Sequence, residues 1–222
     1  EFDQDIRQET DFLRHLYGSE VYSYDRIVLP RYEQMLRNLG VWERLNYVVT
    51  SDHGEGIYDH DRYFGHGYNL YEEAVHVPLV LKPGTELEQR INDDQPAQGL
   101  NLESVDLTAT LLDLAGANTS GIQGQSFLPA LQATPSFQRD TYAFSEKSGV
   151  ETITKVAVTR PPWKYIYNVK EDSGELYNLE KDPGEKHPIT SRPELSEQMR
   201  SVVVDRWGKN GKILGDAPVR NI

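Results

Sequence analysis

A short apolar segment is followed by side chains that could bind a cation and move a proton. Asp52 and His53 are adjacent, and His66 lies between two glycines a little further along the chain. Carboxylate oxygen suits hard cations, while imidazole suits borderline cations or contacts a substrate anion instead. The grouping predicts a metal site that hydrolyses an anionic ester. On the Asp-His-Gly tripeptide alone, the alternative is a turn in which Asp52 merely caps the loop.

Further polar groups in the same loop extend the candidate site. His60 lies in the stretch YDHD at 58–61 and is a candidate substrate-binding residue. Glu55 and Tyr71 are additional candidates close to the histidines along the chain. Gly54 removes side-chain bulk at a point where we expect the backbone to turn close to a ligand.

The composition limits the classes of protein that need to be considered. The chain has 222 residues, enough for one core of ordinary size, and its net charge of −12 argues against nucleic acid as a partner. It contains no cysteine, which excludes disulfides, zinc–thiolate sites and a cysteine nucleophile within these residues. No apolar run approaches the roughly 20 residues of a membrane span. The first residues do not resemble a signal peptide, so we expect any export signal to lie upstream.

Hydrophobic spacing predicts the elements that carry the candidate site. The chain up to Gly40 reads as helix, with Pro30 expected to kink or divide it. Short β-branched runs predict strands at 45–50 and 75–81, with the loop 52–67 between them. A helix at 104–116 is expected to be capped by Ser104. Its spacing predicts an apolar face made of Val105, Thr108, Leu111, Leu112 and Ala115. The alternation predicts an α/β fold with a mainly parallel sheet and flanking helices.

The last third of the chain has a different pattern. Strand candidates at 141–144, 155–158 and 164–167 are separated by turn residues and predict a small C-terminal antiparallel sheet. A final helix is expected at 195–207, followed by a loosely held tail. We therefore predict two parts, an α/β portion at 1–138 and a sheet subdomain with the terminal helix and tail at 139–222.

The order of the motifs resembles the sulfatase family of the alkaline-phosphatase-like superfamily. The segments that carry this resemblance are TSDHGE at 50–55, GHG at 65–67, LYEE at 70–73, VPL at 77–79, SVDLTATLLDLAG at 104–116, GQSFLP at 124–129 and ELYNLEKDPGE at 175–185. Each segment is modest alone, but their order and spacing together are highly specific. The resemblance implies a partial alkaline-phosphatase-like fold.

The resemblance also implies roles for individual residues. Asp52 and His53 would bind a divalent cation, calcium in the first place, in a site completed by acids from an N-terminal half. His66 would be catalytic and substrate-binding, contacting the sulfate or the leaving oxygen. Family members often have a lysine near this place, whereas this chain has Gly-His-Gly. The substrate would be a small-molecule or glycan sulfate ester.

The nucleophile that the resemblance requires is not in this chain. Sulfatases attack sulfur with a formylglycine made from Cys or Ser in C/S-x-P-x-R, whereas x-P-x-R occurs here only at 217–220, after Asp216. We therefore expect the C-terminal part of a sulfuric-ester hydrolase, inactive alone, with the missing N-terminal half as its partner.

Two alternatives stay open on the sequence. Phosphonate or phosphodiester hydrolases and phosphoethanolamine transferases of the same superfamily share the Asp-His-Gly element, with Mg²⁺, Mn²⁺ or Zn²⁺ as possible cations. The chain could instead be a catalytically inactive fragment or a binding remnant.

Overall fold

The computed structural model describes residues 2–60, 64–67, 69–91, 100–132, 140–146 and 153–207. The predicted tail, the x-P-x-R segment and the predicted domain boundary at 138/139 lie outside these residues. Helix α1 (Phe2–Ser23) passes through a π-helical turn (Tyr24–Val28) into helix α2 (Leu29–Asn38). The helix up to Gly40 is confirmed, and the wide turn lies directly before Pro30, whose ring clashes with a regular preceding turn.

The candidate site lies among short elements in the next part of the chain. Strand β1 (Tyr47–Thr50) confirms the predicted strand at 45–50. Strands β2 (Gly56–Ile57) and β3 (Phe64–Gly65) pair with each other, and helix α3 (Glu72–Val75) is a single turn. Strand β4 is Leu79–Lys82, so the predicted strand at 75–81 was placed too early. Val75 closes a helical turn, and Pro78 has no N–H to donate to a strand partner.

Strands β1 and β4 pair antiparallel, whereas a mainly parallel sheet was expected. Thr50, at the end of β1, lies opposite Leu79, at the start of β4. Parallel neighbours require a crossover that returns the chain to the starting edge of the first strand. Here the chain enters β4 at the edge where β1 ends, so the two strands run in opposite directions.

Helix α5 has a different N-terminal cap and a different buried face from those predicted. After helix α4 (Thr85–Glu88), helix α5 spans Ser104–Leu114 and is capped by Glu103, which exchanges hydrogen bonds with Asp106 in a capping box. The buried side chains of α5 are Asp106, Ala109 and Thr110, whereas the predicted face is largely exposed. The segment before helix α6 (Leu128–Leu131) contacts the buried polar side chains of α5. The N–H of Phe127 donates to the hydroxyl of Thr110.

A four-stranded antiparallel sheet confirms the predicted C-terminal sheet. Its order is β5 (Thr141–Glu146), β6 (Ile153–Arg160), β7 (Trp163–Asn168) and β8 (Ser173–Asn178), and helix α7 (Pro193–Trp207) follows. One face packs on α7, and the buried core between them consists of Val156, Val158, Tyr165, Tyr167, Leu176, Met199 and Val203. The opposite face packs on the segment that leads into α3, and this second core consists of Leu70, Tyr71, Ala157, Ile166 and Tyr177. Alternate residues along each strand therefore pack against different partners, α7 on one face and the segment before α3 on the other.

No helix in the part of the chain that the structure describes is long and apolar enough to cross a membrane.

Candidate functional site

Asp52 is an exposed carboxylate directly after β1. Its side chain is 85% accessible, and its Oδ1 accepts the backbone N–H of His53 at 3.0 Å. This backbone hydrogen bond holds the pKa of the Asp52 carboxyl below its ordinary value. The carboxylate is therefore ionised at neutral pH and open to a cation from solvent.

His53 has the geometry of an imidazole prepared to bind a cation. Its Nδ1 lies 2.9 Å from the carbonyl oxygen of Gly54, which can only accept, so Nδ1 carries a proton. Its Nε2 lies 3.6 Å from Oδ2 of Asp52. Two ligand atoms bound to one cation lie about 3–3.5 Å apart, because metal–ligand distances are about 2.0–2.6 Å. Neutral His53 keeps a lone pair on Nε2, so this nitrogen and the Asp52 carboxylate fit one shared cation, whereas protonated His53 would form an ion pair with Asp52.

His66 completes a cluster with the two predicted ligands. Its ring stacks on that of His53, with 3.7 Å between the ring centroids, and its Nδ1 lies 3.3 Å from Oε2 of Glu55. The other oxygen of Glu55 is buried without a hydrogen-bond partner among the described residues. The structure therefore brings together Asp52, His53, Glu55 and His66, which we call the Asp-His cluster.

The Asp-His cluster supplies only part of a metal site. No group of three or more His, Asp or Glu side chains with metal-binding geometry occurs within the described ranges. Calcium takes about 6–8 oxygen ligands, so Asp52 and His53 would need further ligands from elsewhere. The donor set fits a shared cation without identifying which cation.

His60 makes its contacts away from the Asp-His cluster. Its side chain is 10% exposed, its Nδ1 lies 2.6 Å from Oε1 of Glu73, and its Nε2 lies 3.0 Å from the carbonyl oxygen of Glu185. The ring also stacks on Tyr71 at 3.7 Å between centroids. Both nitrogens are engaged by the protein, so the predicted contact of His60 with a substrate stays a prediction that the geometry does not favour.

Gly54 packs the loop of the Asp-His cluster against α3. Its N–H donates to the carbonyl of Ala74 at 2.8 Å. A β-carbon at this position would lie 2.0 Å from the carbonyl oxygen of Glu73. The sequence predicted a close approach to a ligand, whereas the structure shows a close approach to the backbone of α3.

Sequence reasoning missed a buried ionic cluster behind α3. Lys164 on β7 has no solvent exposure, and its Nζ lies 2.8 Å from Oε1 of Glu72 and 3.0 Å from Oε1 of Glu185. The other oxygen of Glu185 accepts the backbone N–H of Glu72. Burial raises the pKa of Glu185, although the Lys164 ammonium opposes this. Glu72 and Glu185 belong to the LYEE and DPGE segments, but no sequence signal pairs positions 113 residues apart.

This arrangement is the fold of sulfatases and related hydrolases of the alkaline-phosphatase-like superfamily. A putative sulfatase from Bacteroides thetaiotaomicron matches with a TM-score of 0.64 and 27% identity, over 78% of this chain and 38% of that chain. The predicted α/β class is thereby confirmed. The chain belongs to the sulfatase family described as N-sulphoglucosamine sulphohydrolase, C-terminal, whose family model matches residues 59–206. Asp52 and His53 precede that match.

Other known proteins are similar over parts of the chain. Arylsulfatase K of Danio rerio is 30% identical over 64% of this chain and 29% of its own length. PehA of Trinickia caryophylli, a multifunctional alkaline phosphatase superfamily protein, is 35% identical over 46% of this chain and 19% of its own length. The chain thus spans less than a third of these relatives.

Two further solved structures share the fold at lower identity. A protein in complex with its substrate D-glucosamine-2-N,6-O-disulfate has a TM-score of 0.64 at 22% identity, over 81% of this chain and 37% of that chain. The phosphonate monoester hydrolase of Agrobacterium radiobacter has a TM-score of 0.62 at 21% identity, over 80% of this chain and 38% of that chain.

Proposed function

We propose that this chain is the C-terminal part of an enzyme that hydrolyses sulfate esters. The observation that carries the proposal is the pairing of Asp52 and His53, whose facing donor atoms fit one shared cation in a chain of the sulfatase family. The structural neighbour bound to a disulfated glucosamine supports a sulfated sugar as the substrate class. The Asp-His cluster would hold one side of the reacting group.

Each residue of the cluster has a distinct proposed task. A divalent cation, calcium in the first place, would supply Lewis-acid polarisation of the sulfuryl oxygens when bound. Asp52 contributes a permanent negative charge, and the Gly54 carbonyl keeps the proton of His53 on Nδ1, away from the ligand nitrogen. His66, stacked on His53 and half exposed, would donate a hydrogen bond to the sulfate or a proton to the leaving oxygen.

The remaining part of the protein would supply the nucleophile and cover an apolar surface. The segment from the start of α1 to the residue after α2 exposes large apolar side chains that include Phe12, Val21, Tyr22, Ile27, Tyr32 and Leu39. Large apolar side chains left exposed in this number along one segment favour a contact site. Since the chain spans 29% of the Danio rerio relative, we assign this surface to the N-terminal half, which would also carry a formylglycine.

A phosphonate ester or a phosphodiester is the second candidate substrate. The phosphonate monoester hydrolase neighbour and PehA favour it, because they show that the same fold and related sequences belong to proteins named for phosphorus chemistry. Tetrahedral sulfate and phosphonate esters present similar anionic oxygens to a cation, so the Asp-His cluster alone does not separate them.

The test uses the whole protein that the gene encodes. We expect hydrolysis of 4-nitrophenyl sulfate to exceed hydrolysis of 4-nitrophenyl phenylphosphonate in kcat/KM, and Asp52→Asn to abolish it. Asp25→Asn, at an exposed carboxylate on the π-helical turn, is the matched control. A preference for the phosphonate would move the function to the second candidate. Activity that survives Asp52→Asn would overturn the role of the cluster.

A further inference from the structure

We propose that α3 is a positioning element that couples the C-terminal sheet to the Asp-His cluster through Lys164. The contact chain runs from Lys164 on β7 to Glu72 on α3, and from the adjoining backbone of α3 to Gly54. The catalytic consequence rests on the proposed function. The mechanical coupling of sheet, helix and loop does not.

The first link is the buried ion cluster. Lys164 and Glu185 are both inaccessible to solvent, and Glu72 is the third member of the cluster. Lys164 pairs with both carboxylates, while Glu185 also accepts the N–H at the start of α3. Because a buried charge without its partner is strongly unfavourable, the three groups restrict where α3 lies on the sheet. An exposed ion pair would not impose that restriction.

The second link is made by His60, which contacts Glu73 on α3 and the carbonyl of Glu185. The carbonyl of Glu185 accepts from Nε2 of His60, and Nδ1 of the same ring lies 2.6 Å from Oε1 of Glu73 on α3. Tyr71, which stacks on His60, donates to Oε2 of Glu175 on β8 at 2.8 Å. The turn carrying Glu185 and the strand β8 therefore hold α3 from a second side.

The third link passes from α3 to the ligand loop. Gly54 donates to the carbonyl of Ala74 and leaves no room for a β-carbon beside the carbonyl of Glu73. The adjacent carbonyl of Gly54 accepts the proton of His53 Nδ1. A displacement of α3 would therefore move the group that sets the tautomer and direction of His53, which makes Lys164 a positioning residue without contact to the substrate.

Hydrogen exchange read by mass spectrometry on the whole encoded protein tests this coupling. In Lys164→Met we expect the amide of Gly54, read from fragments covering 51–57, to exchange about tenfold faster or more. The amides that join β6 and β7 should keep their protection. Arg160→Met is the matched control, because Arg160 lies at the end of β6 in the same sheet and forms an exposed ion pair with Asp140. We expect it to change the exchange of Gly54 by less than about twofold.

Two outcomes overturn the proposal. Unchanged exchange at Gly54 in Lys164→Met means that the ion cluster does not hold the loop. Equal acceleration at Gly54 and across β6 and β7 means that Lys164 only stabilises the fold. If Lys164→Met does not fold, Glu72→Gln keeps the shape of the side chain and gives the same reading, with a smaller acceleration expected.

The readout is independent of substrate. An active sulfatase with unchanged Gly54 exchange would reject the coupling alone, while a protein inactive on sulfate esters with accelerated exchange would reject the proposed function alone.

Discussion

Gly54 lies so close to Glu73 that a β-carbon on the glycine would sit 2.0 Å from the glutamate's carbonyl oxygen. The contact joins the Asp-His-Gly segment to the Leu-Tyr-Glu-Glu segment. These two motifs therefore form one structural unit, in which the Asp-His-Gly segment packs against the backbone of the Leu-Tyr-Glu-Glu segment.

Gly54→Ala should displace the ligand loop from α3. Crowding of this kind costs about 1–3 kcal/mol of the free energy of unfolding, measured by urea titration. The matched control is Gly18→Ala in α1, where no atom lies within 4 Å of the added carbon. We expect that variant to be more stable by about 0.5–1 kcal/mol, because alanine favours a helix interior. Equal effects at the two positions would remove the argument from close approach.

Asp52→Asn should weaken binding of calcium to the whole protein. Loss of a group that only supports a ligand costs about 10–100-fold in metal affinity, and Asp52 is a proposed direct ligand. We therefore expect a loss of more than about tenfold by isothermal titration calorimetry. Asp25→Asn should leave the affinity unchanged. A calcium affinity that Asp52→Asn does not alter would contradict the assignment.

His66→Gln should slow catalysis more than it weakens substrate binding. A positioned proton donor contributes about 100–10,000-fold to the rate, so we expect kcat on an aryl sulfate to fall by at least about 100-fold. The control is His15→Gln on the exposed surface of α1. An increase in KM at constant kcat would instead place His66 in substrate binding alone.

The C-terminal sheet should lose stability at alkaline pH. Burial raises the pKa of Tyr177, and it also raises the pKa values of Tyr165 and Tyr167. Above about pH 10 the unfolded chain releases these protons while the folded chain retains them, so the free energy of unfolding falls as pH rises.

Each such tyrosine contributes a slope of up to about 1.4 kcal/mol per pH unit. Tyr177→Phe should therefore reduce the slope by that amount in urea titrations between about pH 10 and 11. Ser173→Ala, at an exposed position of β8 and without a proton that titrates in this range, is the control. A slope that Tyr177→Phe leaves unchanged would show that this hydroxyl does not govern the transition.

Local pattern was sufficient for much of the fold. The helix up to Gly40, the strand before Asp52 and the C-terminal antiparallel sheet follow from residue periodicity and turn residues, which act within a few positions of the chain. The adjacency of Asp52 and His53 after a strand is likewise a local property, and so is the placement of His66 between glycines. The structure brings these three side chains together, and their roles stay predictions.

Only the tertiary structure decided how these pieces contact one another. The antiparallel pairing of β1 with β4 depends on the edge at which the chain re-enters, and the buried face of α5 depends on the turn that binds Asp106. The engagement of His60 by Glu73 and Glu185, and the cluster around Lys164, join residues far apart in the chain. Such contacts depend on packing and exclusion of water, which act between neighbours in space, so the order of the amino acids determined the chemistry available and the fold determined its partners.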